Sequence, residues 1–283
     1  IRAAQALLPG VPQVAVFDTA FHQSMPREAF LYALPMAWYE KHGIRRYGFH
    51  GTSHLYVSRR AAVVLGRPLA GLRLVTLHIG NGASAAAVLG GRSVDTSMGF
   101  TPLEGLVMGT RSGTIDPAIP LYVMGREQLG AAQMDTQLNK KSGLLGITGR
   151  FNDRRDIEAA AAQGDADCEL AIALECRALA KTVGAFAAVM GGLDAVVFTA
   201  GVGENSATIR ARAMAPLAFL GVQLDEDKNR AARGGERELD IATPASRVRV
   251  LVVPTNEELV IAEDTLGIVE GRFGQPGFRY SFE

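Results

Sequence analysis

Leu74-Val75-Thr76-Leu77-His78-Ile79-Gly80-Asn81-Gly82-Ala83-Ser84 opens with a continuous apolar, β-branched run, which predicts a strand buried on both faces. The run breaks at Gly80-Asn81-Gly82, a turn expected to need residues tolerant of positive φ. Ser84-Ala85-Ala86-Ala87-Val88-Leu89 then leads away as a second strand. A tight hairpin accounts for Gly-Asn-Gly by itself. A second segment of the same construction points further: the apolar strand Ala195-Val196-Val197-Phe198-Thr199 ends in Ala200-Gly201-Val202-Gly203-Glu204-Asn205-Ser206. Gly-x-Gly before Asn-Ser at an expected helix start lets backbone N–H groups approach a phosphate. Two glycine-tipped strands imply one nucleotide held between them.

The length of 283 residues allows two domains or one large one. Hydrophobic residues make up 48% and charged residues 20%, which suits a globular chain with a sizeable core. Twenty-nine basic residues balance 29 acidic ones, so no bulk field calls for nucleic acid or a membrane surface. Cys168 and Cys176 fall on one expected helix and form neither a disulfide framework nor a zinc spacing. Val183 to Gly201 is split by Asp194 and glycines, so it reads as a helix then a strand rather than a membrane span. The cytoplasm is the default location.

From the amino end, Gln13–Phe17 reads as a short buried strand with Asp18 at its carboxyl end, where open α/β sheets bind ligands. Asp18 either caps the next turn or belongs to a site. Pro26 to His42 reads as mostly helical with a break at Pro35, its aromatics facing the core. Arg45 to Phe49 reads as a short strand before the helical run Leu55–Leu65, with Thr52 or Ser53 as cap. His50 and His54, four apart, lack a third ligand at a useful spacing for a metal, whereas His50 suits a donor to an anion. Leu74 to Ser97 forms a three-stranded meander.

Thr101 to Pro120 is a long Gly- and Pro-rich loop, and ordered loops of that length are usually functional. Within it Arg111, flanked by Thr110, Ser112 and two glycines, either presents its guanidinium to a cleft or pairs with Asp116. Two helices and a glycine-broken turn at Ser142–Gly146 follow, then a charged turn at Phe151–Ile157. Ala166 to Gly191 is a long helix expected to pack on the Ala195 strand. A helix from Ser206 to Ala218, a polar loop from Arg230 to Glu238 and a strand from Arg247 to Val253 come next. Thr255-Asn256-Glu257-Glu258 opens the last helix with good cap electrostatics. The tail Gln275 to Glu283 is expected to be loose.

Val16-Phe17-Asp18-Thr19-Ala20-Phe21-His22, Tyr47-Gly48-Phe49-His50-Gly51-Thr52-Ser53-His54, His78-Ile79-Gly80-Asn81-Gly82-Ala83-Ser84, Met108-Gly109-Thr110-Arg111-Ser112-Gly113, Phe198-Thr199-Ala200-Gly201-Val202-Gly203-Glu204-Asn205 and Thr255-Asn256-Glu257-Glu258 occur in the order seen in acetate kinases. The chain resembles that family from near its first residue to about Thr265. The resemblance implies the α/β, ribonuclease-H-like fold of actin, Hsp70 and sugar kinases, with nucleotide in an interdomain cleft. It implies residues 1–20 and 255–283 as a remnant of the first domain and 21–254 as the second. It also implies a homodimer and the reaction ATP plus acetate to ADP plus acetyl phosphate, with Mg²⁺ or Mn²⁺. By motif match, His78, Ile79, Gly80, Asn81 and Gly82 meet the phosphates. Asp153, Arg154, Arg155, Gly201, Val202, Gly203, Glu204 and Asn205 hold the adenosine end. Arg111 and His50 face the transferring group, with Asp18 as the partner fixing Arg111 or another cation. Phe49 and Pro102 wall an acetyl pocket, and Glu257 positions the metal.

The family's Asn-x-Gly-Ser-Ser-Ser-x-Lys phosphate loop, which precedes the Asp18 motif, has no counterpart here. The expectation is that Ile1 lies well inside the family's pattern and that this polypeptide alone is inactive. Propionate and butyrate kinases share most of these motifs, because a methylene in a pocket is worth only about 1–3 kcal/mol. A non-catalytic nucleotide binder of the same fold is a further reading.

Overall fold

The computed structural model describes residues 1–235 and 237–283. Strand β1 (Arg73–Ile79) lies at the middle of a six-stranded mixed sheet with β2 (Ala83–Leu89), β3 (Arg92–Thr96), β4 (Ala195–Thr199), β5 (Leu239–Asp240) and β6 (Arg249–Val252). The spatial order is β3-β2-β1-β4-β6-β5. The meander is antiparallel, with His78 opposite Ser84, whereas β4 runs parallel to β1 and to β6. The parallel pairing sets the carboxyl ends of β1 and β4 side by side, where ligands bind in open α/β sheets.

Side chains alternate across the sheet, and each parity has its own cover. Val75, Leu77, Ile79, Ala83, Ala85, Ala87, Val196, Phe198, Val250 and Val252 join a large core beneath the helix Ala166–Val189. That helix crosses β1 and β2, rather than the Ala195 strand the sequence suggests, because the β2 alanines leave room for a close approach. On the other face Leu74, Ala86, Val88, Ala195, Val197 and Leu251 pack on Val57 and Ala61 of the helix Gly51–Leu65. Burying one such side chain contributes about 1.5–3 kcal/mol. The same parity that carries Leu74 and Val88 also aims Thr76, His78 and Ser84 at the start of that helix.

Several expectations change. Gln13–Phe17 is extended but borders no strand among the described residues, and Phe17 is 68% exposed. Arg45–Phe49 is likewise not a strand. Between Pro26 and His42 only Arg27–Phe30 and Met36–His42 are helical, and Leu34 and Trp38 are half exposed rather than core. The turn at Ser142–Gly146 is a third helix, Gly143–Thr148, after Ala118–Glu127 and Ala131–Lys140. The helix Ala118–Glu127 absorbs Pro120, so the irregular segment is 97–117. A short helix, Glu226–Ala231, shortens the polar loop, in which Glu236 lies outside the described residues.

The tail is not loose. Tyr280 and Phe282 are buried with Val260 of the helix Glu257–Val269, the Tyr280 hydroxyl donates to Asp264 at 2.7 Å, and Arg60 donates to the Phe282 carbonyl at 2.7 Å. Aromatics spaced two apart bury one face without helical periodicity. No helix among the described residues is long and apolar enough to cross a membrane.

Candidate active site

Three structural units meet at the Gly80-Asn81-Gly82 tip. Neither glycine has a left-handed φ, contrary to the expected turn chemistry. Close approach is what marks Gly82: a Cβ there would lie 3.2 Å from Arg111 Nη1, so the guanidinium would have to give by a few tenths of an ångström, and 3.7 Å from His50 Cε1. The second unit is the Arg111 loop. The Gly109 amide donates to the Asn81 carbonyl at 3.1 Å, and the Leu144 and Leu145 amides donate to the Met108 and Gly109 carbonyls at 2.9 Å. The loop is thereby clamped between the hairpin tip and a helix start. Among the described residues Arg111 Nη1 has hydrogen-bond contacts only to the Pro102 carbonyl, at 3.4 Å, and Met108 Sδ, at 3.6 Å. No carboxylate, Asp116 or Asp18 included, forms an ion pair with Arg111 among the described residues.

The third unit is the start of the helix Gly51–Leu65. His50 precedes it with φ of 54°, a left-handed value that costs a non-glycine residue strain. Asp18 holds that conformation: its Oδ2 accepts from the His50 amide at 2.7 Å and its carbonyl accepts from the Gly51 amide at 2.8 Å. Asp18 is therefore the partner of His50 rather than of Arg111, and it caps a helix far along the chain. Thr52 and Ser53 are not caps. Thr52 donates to Glu257 Oε1 at 3.1 Å, and Ser53 Oγ lies 2.8 Å from His78 Nδ1. His50 and His54 share one hydroxyl, with Ser84 Oγ 2.8 Å from His50 Nδ1 and from His54 Nε2. No cluster of three metal-ligating side chains occurs among the described residues.

Burial keeps these imidazoles uncharged. It lowers His22 to about 4 and His78 to about 3, and puts His54 well below the ordinary histidine value. His50 is lowered by burial and by Arg111 against the opposing charge of Asp18. Burial raises Glu257, with the nearby Asp18 charge adding to it and the Thr52 bond opposing it.

Gly80 and Asn81 of the tip also line a cleft of about 770 Å³, together with Asn152, Asp153, Arg154, Arg155, Glu158, Gly201, Val202, Asn205 and Ser206. Gly201-Val202-Gly203 is not a loop. It lies in a one-and-a-half-turn helix, Ala200–Asn205, entered through Ala200 at φ of 64°. A Cβ on Gly201 would meet nothing within 4 Å, whereas one on Gly203 would pack on Phe198 and the Leu77 carbonyl at 3.5–3.6 Å. Gly203 thus serves the sheet, and Gly201 the cleft. Glu204 also turns from the cleft, toward Thr199 and the backbone amides of Thr255 and Ala200. Arg154 reaches inward: it is buried, ion-paired with Glu175 at 2.6 Å, and donates to the Gly80 carbonyl at 2.9 Å. Arg155 is open to solvent and paired with Asp153, which it lowers to about 2. Phe49 and Pro102 flank His50 and Arg111 through their own backbone, the Phe49 carbonyl accepting from His22 Nε2 at 3.0 Å.

Sequence reasoning missed Asn152, Glu158 and Ser206. Asn152 adjoins Asp153, Glu158 lies one turn after Arg154, and Ser206 caps the next helix while donating to Glu158 at 2.6 Å.

Parallel strands ending on a cleft, beside a guanidinium with no carboxylate partner among the described residues, fit a nucleotide-dependent phosphotransferase of the actin-like fold. The sequence pattern of the acetokinase family matches residues 1–263, and the chain belongs to that family. The acetate kinase of Trichlorobacter lovleyi is 57% identical over 283 residues, all of this chain and 67% of that protein. That of Thermotoga maritima is 60% identical over 271 residues, 95% of this chain and 67% of that protein. The crystal structure of Porphyromonas gingivalis acetate kinase superposes with a TM-score of 0.91 at 49% identity, over 95% of this chain and 67% of that one. A propionate kinase from Francisella tularensis gives 0.86 at 47% identity, over 92% and 66%. The chain spans about two thirds of the length of the curated relatives it matches.

Proposed function

We propose that this chain carries the nucleotide cleft and the catalytic guanidinium and imidazole donors of an acetate kinase, transferring the γ-phosphoryl group of ATP to acetate. The observation that supports this most is Arg111, held at the Gly82 tip with no carboxylate partner while His50 adjoins the same glycine. A protein that only bound nucleotide would have no use for that pair. Acetate is already ionised at neutral pH, so no base is required. Its oxygen attacks the γ-phosphorus in line, the bond to the β–γ bridging oxygen breaks, and ADP leaves with that electron pair. Arg111 and His50 offset the charge on the transferring oxygens, and positioning supplies the rest.

In this reading Gly80 and Asn81 meet the phosphates, and Asp153, Arg155, Gly201, Val202 and Asn205 hold the adenosine end. Arg154 acts through the Gly80 carbonyl. Phe49 and Pro102 bound the acyl group. Glu257 and Asp18, hard oxygen donors close enough to raise the Glu257 pKa, fit Mg²⁺ or Mn²⁺, which binds through one or two carboxylates plus substrate phosphates. The metal, when bound, supplies charge neutralisation on those phosphates. We assign residues 1–20 and 255–283 to one domain and 21–254 to another, in a cytoplasmic homodimer.

Hydroxamate trapping of acetyl phosphate, from acetate and MgATP, tests the reaction. A protein of the relatives' full length that carries this chain is expected to form it, and failure to do so would overturn the proposal. The 283-residue polypeptide is expected to bind ADP in calorimetry and to yield no hydroxamate above the blank.

A further inference from the structure

We propose that Thr76 and His54 are positioning residues which, through Ser84, fix His50 in the tautomer that carries its proton on Nε2. This rests on the reading in which His50 faces the transferring phosphoryl group. Thr76 Oγ1 lies 2.7 Å from His54 Nδ1, His54 Nε2 lies 2.8 Å from Ser84 Oγ, and Ser84 Oγ lies 2.8 Å from His50 Nδ1. Thr76, His54 and Ser84 are fully buried, and no other hydrogen-bond partner serves either hydroxyl among the described residues.

Two hydroxyls and two neutral imidazoles share three contacts here. Each hydroxyl owns one proton and each ring one N–H. If His50 donates from Nδ1 to Ser84 and Ser84 donates to His54, then His54 must donate to Thr76. The Thr76 proton then has no acceptor. If both rings donate to Ser84, its own proton is stranded. A buried donor left without a partner loses its water bonds and gains nothing in exchange, so such arrangements are disfavoured. One arrangement strands nothing: Thr76 donates to His54 Nδ1, His54 Nε2–H donates to Ser84, and Ser84 donates to His50 Nδ1. The remaining His50 proton is then on Nε2, the nitrogen 3.8 Å from where a Gly82 Cβ would stand.

The consequence is chemical. A neutral imidazole can face an anionic oxygen usefully only as a donor, and a lone pair on Nε2 would repel it. The wrong tautomer in a hydrogen-bonded catalytic site can cost as much as about 10⁴-fold in turnover. The relay gives His50 the donor form without requiring a positive charge beside Arg111.

Imidazole ¹⁵N spectra of the 283-residue chain test it. Wild type is expected to show His50 and His54 both protonated on Nε2. Thr76→Val keeps the shape and removes the proton source, so both rings should become tautomer mixtures, and Thr76→Ser should restore the single form. Protonation of wild-type His50 on Nδ1, or an unchanged His50 signal in Thr76→Val, would overturn the relay. The wild-type spectrum decides even if a variant fails to fold. In the full-length protein Thr76→Val should lower turnover at least about tenfold with the KM for ATP held within about twofold. Shifted spectra with unchanged turnover would support the relay and remove His50 from phosphoryl transfer.

Discussion

The rings of His50 and His78 stack with centroids 4.0 Å apart and planes at 18°. His54 and His22 extend the group edge-on, His54 lying 6.4 Å from His78 and 5.7 Å from His22. Two imidazolium ions could not share that stack, so at least one ring must be uncharged, and burial lowers the proton affinity of both. Four of the five histidines are therefore spent on one cluster.

The cluster predicts acid sensitivity. An unfolded histidine takes up a proton below about pH 6.5. In the folded protein His22 and His78 wait until about 4 and 3. The unfolded state thus binds more protons in that window, and stability falls as pH drops through it. His22 alone accounts for on the order of 3 kcal/mol between the two limits. Unfolding free energies measured from pH 7.5 to 4 should decline below pH 6.5, and His22→Gln should reduce that slope by about one proton. A slope unchanged by His22→Gln would show that the ring is charged when folded.

Arg111→Ala, in a protein of full family length, should lower turnover at least about a hundredfold, a loss of roughly 2.7–4 kcal/mol of transition-state stabilisation. ADP affinity should stay nearly unchanged, since Arg111 is not among the residues that line the cleft. A fall of less than about tenfold would remove Arg111 from the chemistry.

The two glycines of the helix Ala200–Asn205 should separate cleanly. Gly201→Val projects into the cleft and should weaken ADP binding at least about tenfold, with no loss of stability, because glycine within a helix already costs about 0.5–1 kcal/mol. Gly203→Val presses on β4 and should cost about 1–3 kcal/mol of stability. Calorimetry with ADP and urea denaturation, run on both variants, distinguish them. Equal losses of affinity at unchanged stability would mean that both glycines face nucleotide.

Arg154→Met leaves Glu175 buried without its partner, which costs about 3–5 kcal/mol. Adding Glu175→Leu should recover most of that stability. ADP affinity should recover in neither variant, because the Gly80 carbonyl has lost its donor. Full recovery of affinity in the double variant would make Arg154 a stability residue only.

The meander was legible because β1 and β2 alternate or saturate with apolar residues and are bounded by glycine pairs. Gln13–Phe17 shows the limit of that reading. Its composition is that of a strand, but a ladder needs a neighbour, and neighbours are not written locally. Gly80-Asn81-Gly82 was legible as the turn of a hairpin, though not by the positive φ expected of it, and Gly201-Val202-Gly203 was misread as a loop. Gly82 abuts Arg111 and His50, which come from elsewhere in the chain, and Gly201-Val202-Gly203 is helical because Ala200, not a glycine, makes the left-handed step. Arg111 was readable as a presented cation from its small neighbours. Its lack of an acidic partner was not, since Asp116 is close in sequence and Asp18 is engaged by His50. Nothing in the spacing of Thr76 and Ser84 marks them, yet strand parity puts both under the same helix end.

Within the tip Gly80-Asn81-Gly82, the first two residues line the cleft and the third abuts Arg111 and His50. Three residues are too few to insulate one contact from the other. A change that loosens the grip on phosphate also shifts the surface against which Arg111 and His50 rest. Affinity and turnover therefore cannot drift independently under selection at this turn, and a lineage altering one must compensate in the loop around Met108 or at the helix start by Gly51. Variation among relatives should accordingly arrive there in pairs.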